Sequence, residues 1–281
     1  MASKKKTRRR AALIAVAAAF ILLALAALDC RLIVRSYEIE AEEIDTPLRI
    51  ALVTDLHSCR YGEGQEKLIR AVDEQQPDII LLGGDIFDDD MPDDNSDIFL
   101  AGVAGKYPCY YVTGNHEARV NEYGALKAGM EAAGVTVLED VKTKISMEGE
   151  TITLIGVNDP SYQTDYLFGD SETVMNTKLE DLHTEHDGFT ILLSHRPELF
   201  DTYVDQDIDL VLSGHAHGGQ FRLPFIGGLV APNQGLFPEY DAGIYTEGNT
   251  NMLISRGVGN SILPFRINNR PEVILIELQA E

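Results

Sequence analysis

Short, largely apolar runs that end in polar residues recur along this chain. Five of them occupy residues 48–54, 79–82, 110–113, 190–194 and 208–213, and each leads within three residues into an aspartate, asparagine or histidine. Apolar runs of four to eight residues bounded by glycine or polar residues are typical of buried β-strands. The pattern therefore predicts five buried strands whose carboxyl ends carry side chains that can bind metal ions.

Helical periodicity lies between these runs. Residues 63–76 place Leu68, Ile69 and Val72 at the spacing of three and four that one face of a helix requires. The same reading predicts further helices at 122–133 and 171–185, and further strands at 151–157, 252–255 and 272–278. Alternating strands and helices followed by a strand-rich half predict an α/β domain, in which two packed sheets are flanked by helices in layers.

Residues 11–28 form an apolar run of 18 residues without a charge or a proline. As a helix at ~1.5 Å per residue the run would measure ~27 Å, close to the hydrocarbon thickness of a bilayer. Six lysines and arginines within residues 4–10 precede it, and the positive-inside bias then places the N-terminus in the cytoplasm. We therefore predict one N-terminal transmembrane helix.

This organisation divides the chain into three parts. Residues 1–10 are expected to be a basic cytoplasmic segment, 11–29 a transmembrane anchor or signal sequence, and 37–281 a domain on the outer side of the cell membrane. Ala24-Leu25-Ala26 offers small residues for signal cleavage, so secretion after cleavage is the alternative.

Net charge and cysteine content limit which classes of function this protein can have. The net charge is −22, and without the six N-terminal bases 17 bases face 45 acids, a net of −28. So acidic a domain repels nucleic acid, and no nucleic-acid partner is expected. Three cysteines without a C-x-x-C pair form no disulfide framework. Cys59 fits a small buried thiol, with an extra soft metal ligand as the alternative.

The residues that follow the five strands form one chemical set. They are Asp55-Leu56-His57, Gly84-Asp85, Gly114-Asn115-His116-Glu117, His195 and Gly214-His215-Ala216-His217. The carboxyl ends of neighbouring strands meet at one edge of an α/β sheet, so these residues can converge. Carboxylate, imidazole and amide groups suit borderline cations such as manganese, iron or zinc. The set therefore predicts a metal site.

This ordered series resembles the calcineurin-like metallophosphoesterase superfamily, and residues 194–245 further resemble its branch of membrane-anchored bacterial phosphodiesterases. The resemblance implies the metallophosphoesterase fold and two divalent metal ions, manganese, iron or zinc. One would be held by Asp55, His57, Asp85 and His217, and the other by Asp85, Asn115, His195 and His215. It also implies a hydroxide between the metals as nucleophile, and His116 as the residue that stabilises the transition state or protonates the leaving oxygen.

The function implied is a membrane-anchored, extracytoplasmic phosphoesterase that cleaves phosphodiester bonds, with lipid-linked or envelope-linked phosphate esters among its candidate substrates. One alternative is a pyrophosphate-bond hydrolase acting on a nucleotide-linked lipid precursor. A second alternative is a non-catalytic metal-binding interaction module. The ligand set is complete in this sequence, which argues against the module.

Several further residues have two readings each. Glu117 is expected to orient neighbouring groups, and the acidic stretch 86–97 is expected to be a solvated loop. The segment 221–240 could line the pocket, face a membrane or simply pack, and the helix-like stretch with His183 and His186 is expected to be solvated. Phosphate contact and salt bridging are both open for four arginines: Arg196, Arg222, Arg256 and Arg266.

Overall fold

A computed structural model describes residues 2–163, 170–182, 188–206, 208–260 and 265–280, and for residues 2–11 it describes the backbone alone. His183 and His186 lie outside the described residues. The helices are α1 (Ala2–Ala27), α2 (Glu66–Asp73), α3 (Asp94–Ala104), α4 (Tyr123–Ala132), α5 (Ser171–Leu182) and α6 (Phe200–Val204). The strands, in chain order, are β1 (Ile33–Glu40), β2 (Leu48–Val53), β3 (Ile79–Gly83), β4 (Cys109–Val112), β5 (Val135–Val137), β6 (Val141–Met147), β7 (Glu150–Gly156), β8 (Thr190–Leu193), β9 (Leu210–Ser213), β10 (Arg222–Leu223), β11 (Gly227–Gly228), β12 (Val230–Ala231), β13 (Gly235–Leu236), β14 (Gly243–Glu247), β15 (Thr250–Ile254) and β16 (Glu272–Gln279).

Two mixed six-stranded sheets organise the domain. The first has the order β1-β16-β2-β3-β4-β5, and β2 to β5 run parallel. The second has the order β14-β15-β9-β8-β7-β6, and β7, β8, β9 and β15 run parallel. Each sheet therefore brings the carboxyl ends of several parallel strands to one edge, which is where loops can build a site.

Alternation along the strands explains how the sheets pack. In β2, Ile50 and Leu52 belong to the core between the two sheets, while Ala51 and Val53 belong to the core under the helices. Side chains of successive strand residues point to opposite faces, so one strand serves both cores. The second sheet packs its outer face against α5 and α6 in the same way. The predicted α/β class with two packed sheets flanked by helices is confirmed.

The predicted elements lie close to the observed ones. Residues 63–76 contain a 3₁₀ turn, Glu63–Gln65, before α2, and Leu68 and Val72 are buried one helical turn apart. The helix predicted at 171–185 is described as far as Leu182. Helix α3 was not predicted, because its first turn carries Asp94 and Asp97, which belong to the stretch expected to be a solvated loop.

The N-terminal prediction needs a correction. Helix α1 covers most of the apolar run, but in the part of the chain that the structure describes no helix is both long enough and apolar enough to cross a membrane. The helix ends at Ala27, so residues 11–27 supply 17 helical residues, ~26 Å at ~1.5 Å each. The structure therefore does not show the predicted transmembrane helix.

Candidate metal centre

The two sheets bring all seven predicted ligand residues to one edge of the domain. Asp55, Asp85 and Asn115 follow β2, β3 and β4 of the first sheet, and His195 and His215 follow β8 and β9 of the second. All seven, including His57 and His217, are buried. Strand ends of two different sheets therefore supply one set of polar side chains.

A first cluster consists of Asp55, His57 and His217, which offer ligand atoms within 4.8 Å of one another. Nε2 of His57 lies 3.2 Å from Nε2 of His217. Nε2 of His217 lies 3.5 Å from Oδ1 of Asp55. The three side chains thus face one small space.

A second cluster consists of Asp85, His195 and His215, again within 4.8 Å of one another. Nε2 of His195 lies 3.1 Å from Oδ2 of Asp85. The same Oδ2 lies 3.7 Å from Nε2 of His57 in the first cluster. The carboxylate of Asp85 therefore stands between the two clusters.

Hydrogen bonds on the outer ring nitrogens orient three of the four imidazoles. Nδ1 of His57 lies 3.0 Å from Asp88, Nδ1 of His195 lies 2.8 Å from the carbonyl oxygen of Gly83, and Nε2 of His215 lies 2.9 Å from Oδ1 of Asn233. Each outer nitrogen faces an acceptor, so it carries the proton and the other nitrogen keeps its lone pair for a metal. Nδ1 of His217 lies 3.5 Å from the guanidinium of Arg266, just as Nε2 of His215 lies 3.5 Å from that of Arg196.

Glu117 fixes the backbone around Asp85. Its buried carboxylate accepts the backbone N–H groups of Asp85, Phe87 and Gly114 at 3.0, 3.0 and 2.8 Å. Burial, with the nearby charge of Asp85, raises the pKa of Glu117 to about 7. This geometry matches the orienting role expected from the sequence.

Two glycines make room for the two carboxylates. A Cβ on Gly114 would lie 2.1 Å from Oδ1 of Asp85, and a Cβ on Gly214 would lie 2.4 Å from Oδ2 of Asp55. Both distances are far below van der Waals contact. Any larger residue at either position would displace a carboxylate.

Five of the seven predicted ligands adopt a left-handed backbone conformation. Their φ angles are 47–64° at Asp55, His57, Asp85, His215 and His217. Non-glycine residues rarely adopt positive φ, and such strain costs of order 1–3 kcal/mol per residue. Strained positions of this kind persist only where the surrounding structure holds them, and they cluster at functional sites.

The protonation pattern shows where positive charge is stable. Burial alone would lower the pKa of His195, but the carboxylates of Asp85 and Asp55 outweigh it and raise that pKa to about 10. Burial alone would raise the pKa of Asp85, but His195 outweighs it and holds the pKa well below its usual range. A proton on His195 thus balances Asp85, and a cation bound in this cluster would take its place.

The donor set fits divalent cations on two further observations. Oδ1 of Asn115 is buried and forms no hydrogen bond with any described residue. Two nitrogen ligands ~2.1 Å from one tetrahedral cation lie ~3.4 Å apart, close to the 3.2 Å between His57 and His217. Carboxylate, imidazole and amide donors suit manganese, iron or zinc.

His116 lies at the rim of the first cluster. Its backbone N–H donates to Oδ1 of Asp85 at 2.8 Å, and its ring centroid is 4.4 Å from that of His57. Its side chain is 22% exposed, and Nδ1 lies 2.5 Å from Oδ1 of Asp89. The ring therefore reaches both the site and solvent.

Sequence reasoning missed Asp88 and Asn233. Asp88 is half-buried and contacts the outer nitrogen of His57, although its stretch was expected to be solvated. The three consecutive aspartates at 88–90 gave no signal that one of them points inward. Asn233 lies in the 221–240 segment, where only tertiary contacts reveal its role.

The candidate arginines make internal contacts. Arg196 is buried and pairs with Asp159 and Glu198. Arg222 pairs with Asp241 and Arg256 with Glu272, whereas Arg266 donates to backbone carbonyls, among them that of Arg256 at 2.7 Å. Arg196, Arg222 and Arg256 therefore form salt bridges, which was one of the two roles open for them.

Comparison with known proteins matches residues 48–219 to the calcineurin-like phosphoesterase family. Over 243 residues the chain is 30% identical to the uncharacterized metallophosphoesterase YkuE of Bacillus subtilis, covering 83% of this chain and 79% of that protein. Over 238 residues it is 31% identical to the phosphodiesterase YaeI of Escherichia coli, covering 83% and 82%.

Solved structures show the same fold at low identity. GAP50, the anchor in the inner membrane complex of Plasmodium, has a TM-score of 0.52 at 12% identity, covering 83% of this chain and 81% of that one. TT1561 of Thermus thermophilus has a TM-score of 0.51 at 16% identity, covering 76% and 91%. These likenesses concern the fold alone.

Proposed function

Because this chain belongs to the calcineurin-like phosphoesterase family and is a metal-dependent phosphoric ester hydrolase, we propose that it cleaves phosphodiester bonds at a dinuclear centre. The observation that carries the proposal is the position of Asp85, whose Oδ2 lies 3.1 Å from His195 and 3.7 Å from His57. Two cations in such a centre would share one carboxylate that faces both ligand clusters. The similarity to a named phosphodiesterase supports diesters as the substrate class.

Each cation has its own ligands in this proposal. One cation is held by Asp55, His57, Asp85 and His217, and the other by Asp85, Asn115, His195 and His215. Divalent cations held there supply Lewis-acid charge to the phosphoryl oxygens and lower the pKa of a water molecule. The residues around them keep the imidazoles and carboxylates in their binding orientation, as Asp88, Gly83, Asn233 and Glu117 do.

His116 serves as the proton donor to the leaving oxygen. Its backbone is tied to Asp85, and its partly exposed ring lies beside His57 at the rim, where a leaving alcohol meets solvent. Asp89 lies against Nδ1, so Nε2 remains available for the leaving oxygen. Imidazole suits proton transfer near neutral pH.

Turnover by the purified full chain tests this proposal. Bis-p-nitrophenyl phosphate, p-nitrophenyl phosphate and a nucleoside-diphosphate sugar are compared with manganese, iron or zinc. We expect the diester to be cleaved fastest, and Asp85→Asn to lower kcat/KM by at least ~10²-fold, as the loss of an electrostatic stabiliser does. Asp90→Asn, an exposed acid on the same stretch, is the matched control.

The outcomes separate the alternatives. Preferred cleavage of the diphosphate bond would favour the pyrophosphate hydrolase. Two bound cations per chain without turnover of any of the three substrates would favour the interaction module. Either result contradicts the phosphodiesterase proposal.

We further propose that the N-terminal segment directs export, so that the domain acts outside the cytoplasm, attached to the membrane or released after cleavage. The six bases before the apolar run support this orientation. Protease accessibility in intact cells tests the location, and the N-terminal sequence of the mature protein tests cleavage. Protection of the domain until the cells are lysed would contradict export.

A further inference from the structure

A set of apolar side chains projects from the segment that follows the His217 ligand. Phe225 is fully exposed, and Ile226, Leu236 and Phe237 are 65%, 70% and 58% exposed. We call these four residues the apolar tips. Large exposed apolar side chains that lie in groups mark interaction sites, because leaving them in water is unfavourable.

The apolar tips stand on an ordered base. Strands β10 and β11 form one short antiparallel hairpin, and β12 and β13 form a second. Arg222 in the first hairpin pairs with Asp241 at 3.0 Å and donates to the carbonyl of Gly218 at 2.9 Å. The base also contacts the metal ligands, since Asn233 lies 2.9 Å from His215. The segment that carries the apolar tips therefore also contacts the metal centre.

The C-terminal end of α1 lies beside this base. The backbone N–H of Asn268 donates to the carbonyl of Ala27 at 2.7 Å, and its side chain donates to the carbonyl of Arg222 at 3.2 Å. In α1 the four consecutive residues from Phe20 to Leu23 are all at least 57% exposed. At ~100° per residue, four consecutive positions cover nearly every direction around the helix. A helix that is apolar on all sides is buried either in a protein core or in lipid.

A group of basic residues lines a cleft at the same end of α1. Arg31, Arg60, Lys67 and Arg70 share this cleft with Cys30 and Leu32, which follow α1, and with one acid, Glu74. Arg31 pairs with Asp29 at 2.8 Å, and beyond residue 10 the chain has only 17 bases against 45 acids. Anionic lipid headgroups attract such clusters of basic residues near a membrane surface.

We propose that the apolar tips insert into an anionic lipid surface that the basic cleft faces, so that the metal centre acts on phosphate esters presented at that surface. The docking stands on the exposed residues alone, whereas the substrate class rests on the proposed function. A protein partner could cover the tips but would not surround α1. The lipid surface accounts for the tips, the helix and the cleft together.

The absence of tryptophan from the sequence makes the docking measurable. Single Phe225→Trp and Phe237→Trp variants of the full chain are reconstituted in phosphatidylglycerol vesicles with brominated acyl chains. We expect blue-shifted emission and several-fold quenching by the brominated lipid. Ser146→Trp, at an exposed strand position in β6, is the matched control and is expected to remain unquenched. Equal quenching in all three variants, or none at the tips, would overturn the docking.

The charge of the lipid tests the basic cleft. A Lys67→Gln/Arg70→Gln pair added to Phe225→Trp is expected to lower the quenching in phosphatidylglycerol and to leave it unchanged in phosphatidylcholine. Quenching that is independent of both lipid charge and these substitutions would overturn the role of the cleft.

A lipid-anchored substrate tests the substrate class. Phe225→Ser/Phe237→Ser is expected to lower the cleavage of hexadecyl p-nitrophenyl phosphate in vesicles several-fold, with soluble bis-p-nitrophenyl phosphate cleaved at the wild-type rate. An equal loss on both substrates would overturn the lipid assignment. If wild-type protein cleaves neither substrate, the proposed phosphodiesterase function fails, while the quenching experiment still decides the docking.

Discussion

The two ligand clusters use the same residue types but are held by different neighbours. In the second cluster, His195 is oriented by the backbone carbonyl of Gly83 and His215 by the amide of Asn233. In the first cluster, His57 is oriented by the carboxylate of Asp88, and His217 faces the guanidinium of Arg266. An arginine lies 3.5 Å from one imidazole in each cluster, Arg196 from His215 and Arg266 from His217. The clusters therefore differ in their acceptors, which are neutral in the second cluster and a carboxylate in the first.

The two clusters therefore allow the effect of ligand orientation to be distinguished from the effect of charge. Gly83 is the last residue of β3, so the position of its carbonyl follows directly from the first sheet. Asp88 lies in the acidic stretch beyond that strand and is only half-buried. The orientation of His195 therefore depends on the fold itself, whereas that of His57 depends on a side chain whose charge also adds to the affinity for a cation.

We expect metal removal to have the largest effect, because both clusters lose their function and the difference between them disappears. Two divalent cations bring a charge of +4, while Asp55 and Asp85 return only −2, so the loaded centre attracts phosphate within an acidic domain. Chelation should abolish both turnover and the binding of inorganic phosphate, measured by calorimetry. Phosphate binding retained by the metal-free protein would show that the surface, not the centre, captures the substrate.

Glycine substitutions should break the two clusters to different extents. Gly114→Ala would push against Asp85, which both clusters share, whereas Gly214→Ala would push against Asp55 in the first cluster. We expect Gly114→Ala to lose both cations and at least ~10²-fold in kcat/KM, as a displaced catalytic group does. Gly214→Ala should retain the second cation. Metal content per chain, measured by mass spectrometry, distinguishes the two.

Gly105→Ala is the matched control for both substitutions. A Cβ at Gly105 meets no atom within 4 Å, and its φ of −76° suits alanine. Equal metal loss in all three variants would mean that the two clusters are not separately supported.

The convergence of the ligands could be predicted from the sequence, because it follows from local patterns. Asp55, Asp85 and His195 each come two residues after a buried strand, and parallel strands bring their carboxyl ends to one edge. The two-sheet architecture followed from the same apolar runs. These features depend on periodicity and chain order, which a single sequence displays.

The residues that orient the ligands, and the backbone conformations of the ligands, could not be predicted, because they depend on tertiary contacts and strain. Asp88 stands among other aspartates, and a run of like charge usually indicates solvent. The left-handed conformation of His57 and His217 runs against the preference of non-glycine residues.

Substitution of Asp88 or Asn233, which contact the outer ring nitrogens, should have the smallest effect on metal binding. It is also the most direct test of how the two clusters differ. Asp88→Leu and Asn233→Leu each remove one acceptor, and the loss of such a partner costs ~10–100-fold in metal affinity. We expect two-step manganese titrations in which Asp88→Leu shifts one step and Asn233→Leu the other. Asp88→Asn keeps an acceptor for His57 and removes only the charge. If orientation dominates, Asp88→Asn should behave nearly as wild type; if charge dominates, it should match Asp88→Leu. We expect an intermediate shift, because this carboxylate is half-buried and supplies both.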